Sequence, residues 1–167
     1  LQRPVSLMAG FSQDPFGQHL KTRLKERGVD LGYAVTKPER TTLALVQQTG
    51  ASEHSFSFYG GGADVQLLAS DLPKRLPFSI SALALGSYSL FVEPIGSALR
   101  DLVERESMQR LISIDLNLRP AIVGELSDWA KPFDHFLDHA HIVKASLEDL
   151  HLAYEPDVDP QAVADRW

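Results

Sequence analysis

The segment LISIDLNLRP, Leu111 to Pro120, sets an acid, an amide and a guanidinium at alternate positions, Asp115, Asn117 and Arg119, with Leu116 and Leu118 between them. Successive side chains of a strand point to opposite faces, so the three polar groups fall on one side and the leucines on the other. Pro120 then stops the strand. Three polar groups at period two predict a shared polar partner at the strand's carboxyl end, where open α/β sheets bind their ligands. The competing structural use is an Arg119–Asp115 pair that only ties down a loop.

Other residues with chemical potential are fewer. KASLEDL, Lys144 to Leu150, follows an apolar strand with Ser146, Glu148 and Asp149, a pattern that ordinary helix capping also produces. Lys144 reads as the exposed end of that strand. His135 and His139 are four apart and His141 follows, but no acid or third ligand is paired with them, so solvated or capping roles outweigh a zinc site. GGGAD, Gly60 to Asp64, reads as a flexible turn.

Elements that could position these groups alternate along the chain. Pro4 to Gly10 reads as a buried strand, and Asp14-Pro15 opens a helix that ends near Gly28. Tyr33 to Thr36, Thr41 to Gln48 and Glu53 to Tyr59 are short strands with no helix between them, which predicts a small antiparallel sheet. On the last of these, His54, Phe56 and Phe58 share one face, and Ser55, Ser57 and Tyr59 the other. The alternation then resumes with a strand at Ala82 to Ser87, a helix from Glu93-Pro94 to about Arg105, and the strand LISIDLN. A helical region around Trp129, Phe133, Phe136 and Leu137, a strand at His141 to Ala145, a helix capped by Ser146 and another from Asp159-Pro160 complete the order. The predicted class is α/β, with a parallel sheet covered on both faces and a small antiparallel insert.

The 167 residues are 44% apolar, ample for a core, with a formal charge of −6 and scattered Lys and Arg. That balance argues against nucleic acid or an anionic membrane as the main partner. Without cysteine there is neither a disulfide framework nor a thiolate metal site. No apolar run has membrane-span length and Leu1 to Gly10 lacks the design of a secretory signal, so the expectation is a cytoplasmic protein. The chain opens almost directly on a strand and stops in a helix that should feed another, which reads as an internal piece of a longer chain.

Five pieces in order carry a family resemblance: DPFGQHL (Asp14 to Leu20), SFSFYG (Ser55 to Gly60), GSYSLFVEP (Gly86 to Pro94), DLNLRP (Asp115 to Pro120) and IVKASLEDL (Ile142 to Leu150). Together they resemble the ribokinase-like carbohydrate kinases of the PfkB family, nearest to its fructokinase branch. The resemblance implies a three-layer, Rossmann-like (ribokinase-like) body at 1–32 and 76–167, with a β lid insert and return connection at 33–75. It implies a phosphotransferase with an alcohol acceptor that uses ATP and magnesium. Asn117 and Arg119 would then meet the sugar or the transferred phosphoryl group, Arg119 by stabilising charge, and Asp115 would orient them or organise metal and water. Ser146 and Asp149 would lie on the phosphate and metal side, with Asp149 acting on magnesium through water. Tyr59 would face the sugar, although Gly60 stands where relatives often carry Arg. Phe56 and Phe58 predict a homodimer through the lid.

The resemblance also implies parts that are not visible in these residues: the amino-terminal sugar-binding strand, and the downstream GAGD segment with its catalytic base and phosphate-binding helix end. GGGAD lies upstream of DLNLRP and does not match that segment in order. The expectation is therefore a sugar kinase in the parent protein and an inactive chain by itself. The alternatives are a nucleoside or aminoimidazole riboside kinase, or a non-catalytic sugar-binding or dimerisation remnant.

Overall fold

The structure, a computed structural model, describes residues 3–48, 54–123, 129–154 and 156–167. The chain divides into two compact units, Leu1–Pro73 and Lys74–Trp167. Both contain parallel strands, joined in the first unit by an antiparallel pair, and the architecture is α/β.

In the first unit, β1 (Gly10–Ser12) leads into α1 (Pro15–Glu26) and returns to β2 (Val35–Lys37), parallel to β1 with Gly10 opposite Val35. Asp14 caps α1, its carboxylate accepting the Gly17 N–H at 2.8 Å, and Pro15 stands where a missing N–H costs nothing. Gly28, at φ +76°, ends the helix in the left-handed conformation. β3 (Leu43–Gln48) and β4 (His54–Tyr59) form an antiparallel ribbon with Leu43 opposite Tyr59.

Three expectations change here. The strand foreseen at Pro4 to Gly10 joins the ladder only from Gly10; upstream, Ser6 makes an isolated parallel bridge to Asp30. A turn closed by the Ala34 N–H on the Leu31 carbonyl separates the two pairings. The segment around Tyr33 to Thr36 does not join the antiparallel strands, because α1 is a crossover and places β2 parallel beside β1. GGGAD is a loose turn only in its first two residues: from Gly62 it is fixed, and Ala63 is buried in a 3-10 turn with Val65.

In the second unit β5 (Ala82–Gly86), β6 (Leu111–Asp115) and β7 (Ile142–Lys144) form one parallel sheet in that order. The helices are α2 (Ile95–Glu106), α3 (Pro120–Val123), α4 (Ala130–His139), α5 (Leu147–Ala153) and α6 (Pro160–Arg166). Ile112 and Ile114 of β6 are buried together with Leu102 and Val103 of α2 and Phe133 and Phe136 of α4. Beside them an aromatic cluster runs from Phe91 through Trp129 and Phe133 to Tyr154 and Trp167, with ring centroids 5.5–6.5 Å apart. Each buried large side chain of this kind contributes about 1.5–3 kcal/mol. The helical spacing of Trp129, Phe133 and Phe136 is the imprint of that core on the sequence.

The amino-terminal side of this sheet is fixed by a buried ion pair that sequence reasoning missed. Arg110 Nη1 meets Glu106 Oε2 at 3.0 Å, and Nη2 donates to the Leu76 carbonyl at 2.7 Å. The Glu-x-x-x-Arg spacing at the end of α2 was its only signal. A buried charge needs a partner and hydrogen bonds; Glu106 and the Leu76 carbonyl supply them to the two terminal nitrogens of Arg110, while its buried Nε has no partner among the described residues.

A polar rim at the carboxyl ends of the parallel strands

The three strands of the second unit end level, since Gly86 pairs with Asp115 and Asp115 with Lys144. β5 can come this close because its last residue has no side chain: a Cβ on Gly86 would lie 2.4 Å from the Asp115 carbonyl oxygen. The chain leaves β5 through Ser87, itself at φ 64°, and the Ser89 hydroxyl caps the Gly86 carbonyl at 2.7 Å.

Beyond Asp115 the backbone stops being a strand although the side-chain alternation continues. The strand foreseen through Asn117 ends two residues earlier because Asn117 adopts φ +38°. Asn is among the residues that tolerate this left-handed conformation best, and non-glycine residues held there cluster at functional sites. Leu116 and Leu118 are buried, while Asp115, Asn117 and Arg119 are half-buried on the polar side. Two of the loop's backbone N–H groups tie it to its neighbours. Leu116 donates to the Lys144 carbonyl at 2.9 Å, and Leu118 donates to Asp149 Oδ1 at 2.7 Å. Arg119 Nη1 donates to the Leu118 carbonyl at 2.7 Å, and the Arg119 carbonyl accepts the first bonds of α3.

Charge is distributed differently from a simple Arg119–Asp115 tie. Asp115 pairs with Lys144 through both oxygens, at 3.0 and 3.1 Å. That pair is well exposed and adds little stability. Among the described residues Arg119 has no carboxylate partner. Lys144, read from the sequence as a strand end only, is a member of this rim. Its signal was register: it is the β7 residue opposite Asp115.

Ser146 and Asp149 form a reciprocal capping box at the head of α5: the Asp149 N–H donates to Ser146 Oγ, and Asp149 Oδ2 accepts the Ser146 N–H at 2.8 Å and hydroxyl at 2.7 Å. Asp149 is only 3% exposed. Burial pushes its carboxyl upward, but the Ser146 N–H and hydroxyl, the Leu118 N–H and the Lys144 charge outweigh that and hold it below the ordinary value. One carboxylate thus caps α5 and clamps the DLNLR loop. Glu148 beside it points to solvent. Asp149 suits a hydrated divalent cation through water better than by direct ligation, which would take its oxygens from three protein donors.

The strand ends therefore bring Asp115, Asn117, Arg119, Ser146 and Asp149 to one rim. Tyr59 belongs to the other unit, where it ends β4, 63% exposed. His139 and His141 make structural contacts, and the buried Nε2 of His135 has no hydrogen-bond partner among the described residues. His141 Nδ1 accepts the Ile112 N–H at 3.1 Å, and His139 Nδ1 lies 3.3 Å from the Ser107 hydroxyl. Among the described residues no group of three His, Cys, Asp or Glu side chains could hold a metal, and no helix is long and apolar enough to cross a membrane.

The sequence profile described as pfkB family carbohydrate kinase matches residues 1–166. A fructokinase of Rhizobium leguminosarum bv. trifolii is 30% identical over 165 residues, covering 98% of this chain and 50% of that protein. A fructokinase of Solanum tuberosum is 38% identical over 109 residues, 64% of this chain and 34% of that protein. The crystal structure of a fructokinase from Xylella fastidiosa superposes with a TM-score of 0.86 at 26% identity, over 99% of this chain and 54% of that one. A fructokinase from Vibrio cholerae O395 in a fructose, ADP and calcium ion bound form gives 0.85 at 25% identity, over 99% and 55%. The chain spans about half the length of the curated relatives it matches.

Proposed function

We propose, from the premise that the chain belongs to the pfkB family of carbohydrate kinases, that the whole protein transfers the terminal phosphoryl group of ATP to a hydroxyl of a sugar, with fructose favoured. The observation that carries this reading is the level set of strand ends, with a guanidinium on a pinned loop that meets no carboxylate among the described residues. Phosphoryl transfer depends mainly on positioning and on charge stabilisation, and Arg119 supplies a fixed positive charge there. Asn117, in its left-handed turn, offers an amide to the sugar or to the phosphoryl oxygens. Asp115 and Lys144 line the same rim and orient what enters it. Magnesium, when bound, would neutralise phosphate charge, and Ser146 and Asp149 would be the residues to hold it through water.

The relatives' structures with ATP, and with fructose, ADP and calcium, support ATP and a divalent metal as cofactors here. The base that takes the sugar proton lies, in this reading, outside these 167 residues. Among the acids of the rim, Asp115 is engaged by Lys144 and Asp149 by three donors. An ATP-dependent enzyme of this kind works in the cytoplasm, which cell fractionation checks.

A coupled assay of ADP release by the full-length protein tests the reading, with fructose, ribose and a nucleoside offered in turn. Fructose should give the highest kcat/KM. A preference for the nucleoside would support a riboside kinase. No sugar-dependent ADP release from a folded full-length protein would leave a binding or dimerisation module instead. The 167-residue chain alone should be silent in the same assay.

The ribbon also supports a homodimer in this reading. Leu45 and Val46 stand exposed on β3, and a two-stranded ribbon leaves unpaired backbone at its edges. Phe56 lies among the side chains outside the described ones. Sedimentation of the full-length protein should show a dimer at micromolar concentration that Phe56→Ser with Phe58→Ser converts to monomer. A monomeric wild type, or a double variant that stays dimeric, places any interface elsewhere.

A further inference from the structure

The β3–β4 ribbon joins the rest of its unit through two junctions, and a threonine and an aspartate tie each of them. On the entering side, Asp14 Oδ2 accepts the Thr41 N–H at 2.8 Å, and Oδ1 accepts the Thr41 hydroxyl at 2.7 Å. The same Oδ1 takes the Gly17 N–H that caps α1. On the leaving side, the Thr42 hydroxyl donates to Asp64 and accepts the Gly62 N–H at 3.2 Å, while the Ala63 N–H reaches the Arg40 carbonyl at 2.9 Å. Gly62 cannot move or grow in this corner, since a Cβ there would meet the Arg40 oxygen at 2.4 Å.

Between this anchored corner and Tyr59 stand Gly60 and Gly61. Nothing lies within 4 Å of a Cβ added to either, and Gly61 is at φ +75°. Two adjacent glycines in open space give this stretch a wide conformational range beside a hydrogen-bonded corner. The Gly17 N–H, the Thr41 N–H and the Thr41 hydroxyl hold the Asp14 carboxyl far below the ordinary value, so it stays ionised and accepts on both oxygens at neutral pH.

We infer that Asp14 is a positioning residue for the ribbon: it fixes the angle of β3 by joining Thr41 to the head of α1, and Gly60–Gly61 is the pivot on which the ribbon swings when that tie is released. The structural part stands on these contacts alone. Its consequence for catalysis rests on the proposed sugar-kinase reading, in which the ribbon covers the sugar.

Asp14→Asn separates the two jobs of this side chain. Asn caps helices about as well as Asp, so its oxygen can keep the Gly17 N–H. Its NH2 group, however, cannot accept the Thr41 N–H that Oδ2 now takes. In ¹⁵N relaxation of the chain, order parameters at Gly17 and Gln18 should therefore hold near 0.85, while those of 43–48 and 57–59 fall toward about 0.6. Thr41→Val, which removes the hydroxyl bond only, should give a smaller fall in the same residues. Asp30→Ala, which removes the bonds from the Ser6 hydroxyl and the Gly32 N–H away from the ribbon, should leave it unchanged. Adding Gly60→Ala to Asp14→Asn should restore part of the order, because Ala narrows the pivot and meets no neighbour.

A ribbon as ordered in Asp14→Asn and Thr41→Val as in wild type overturns the inference. If Asp14→Asn fails to fold, the milder Thr41→Val and the Gly60→Ala comparison decide it. In the full-length enzyme, Asp14→Asn should raise KM for the sugar about tenfold more than it lowers kcat. A loosened ribbon with an unchanged KM would keep the positioning role and remove the ribbon from the sugar site.

Discussion

Arg119→Ala in the full-length protein is expected to slow sugar phosphorylation by about 10²–10³, the usual cost of losing one donor aimed at developing charge. The loss should fall on kcat and on kcat/KM alike, because such a donor acts on charge that appears in the transition state. The structure makes the experiment clean. Arg119 touches its own loop through one bond, Nη1 to the Leu118 carbonyl, and among the described residues it neutralises no acid. Its removal should therefore leave the melting temperature within a degree or two of wild type. Arg119→Lys should recover only part of the rate, since an ammonium keeps the charge but not the planar fork. Near-normal turnover in a folded Arg119→Ala protein would reduce the residue to a loop tie. A large fall in melting temperature would assign it to the fold instead.

That experiment could be designed from the sequence, because the alternation in DLNLR survives folding. Leu116 and Leu118 are buried and the three polar residues are not, as a strand pattern demands. The backbone that carries the pattern was not legible. Asn117 turns left-handed, and no periodicity announces a change of φ that keeps side-chain alternation intact. The helix caps were legible because they are local: Asp14-Pro15, Ser146 and Asp159-Pro160 each start a helix where expected. Pairing partners were harder, since a three-residue strand such as Val35–Lys37 carries too few positions to declare a parallel or antiparallel neighbour. Its partner is set by the α1 crossover. Charge partners were hardest: Lys144 meets Asp115, 29 residues away, only because β6 and β7 are in register. Asp149 looked like half of a capping box, which it is, and the sequence held no sign that its second oxygen reaches Leu118.

That second oxygen makes Asp149 the residue whose loss should cost most in stability and rate together. Asp149→Ala leaves the Leu118 N–H, in a residue only 1% exposed, without an acceptor, and an orphaned buried donor costs about 1–3 kcal/mol. It also removes the returning arm of the α5 capping box, about 1 kcal/mol more. A fall of about 2–4 kcal/mol in unfolding free energy should follow, a large share of the ~5–15 kcal/mol typical of a domain. Freed from its clamp, the loop would let Arg119 and Asn117 drift, and a displacement of about 1 Å at a reacting centre can cost 10²-fold in rate. Asp149→Asn distinguishes the clamp from the cap. Its amide oxygen can face Ser146 and rebuild the box, but its NH2 group then faces the Leu118 N–H, donor against donor. The Asn variant should thus recover about half of the lost stability and little of the rate. Denaturant unfolding and steady-state kinetics across a magnesium titration measure both. If Asp149 worked mainly through hydrated magnesium, saturating metal would bring the Asn variant back toward wild-type turnover. If it works by holding Leu118, added magnesium will not help, and full activity in a folded Asp149→Asn enzyme would show that the loop keeps its shape without the clamp.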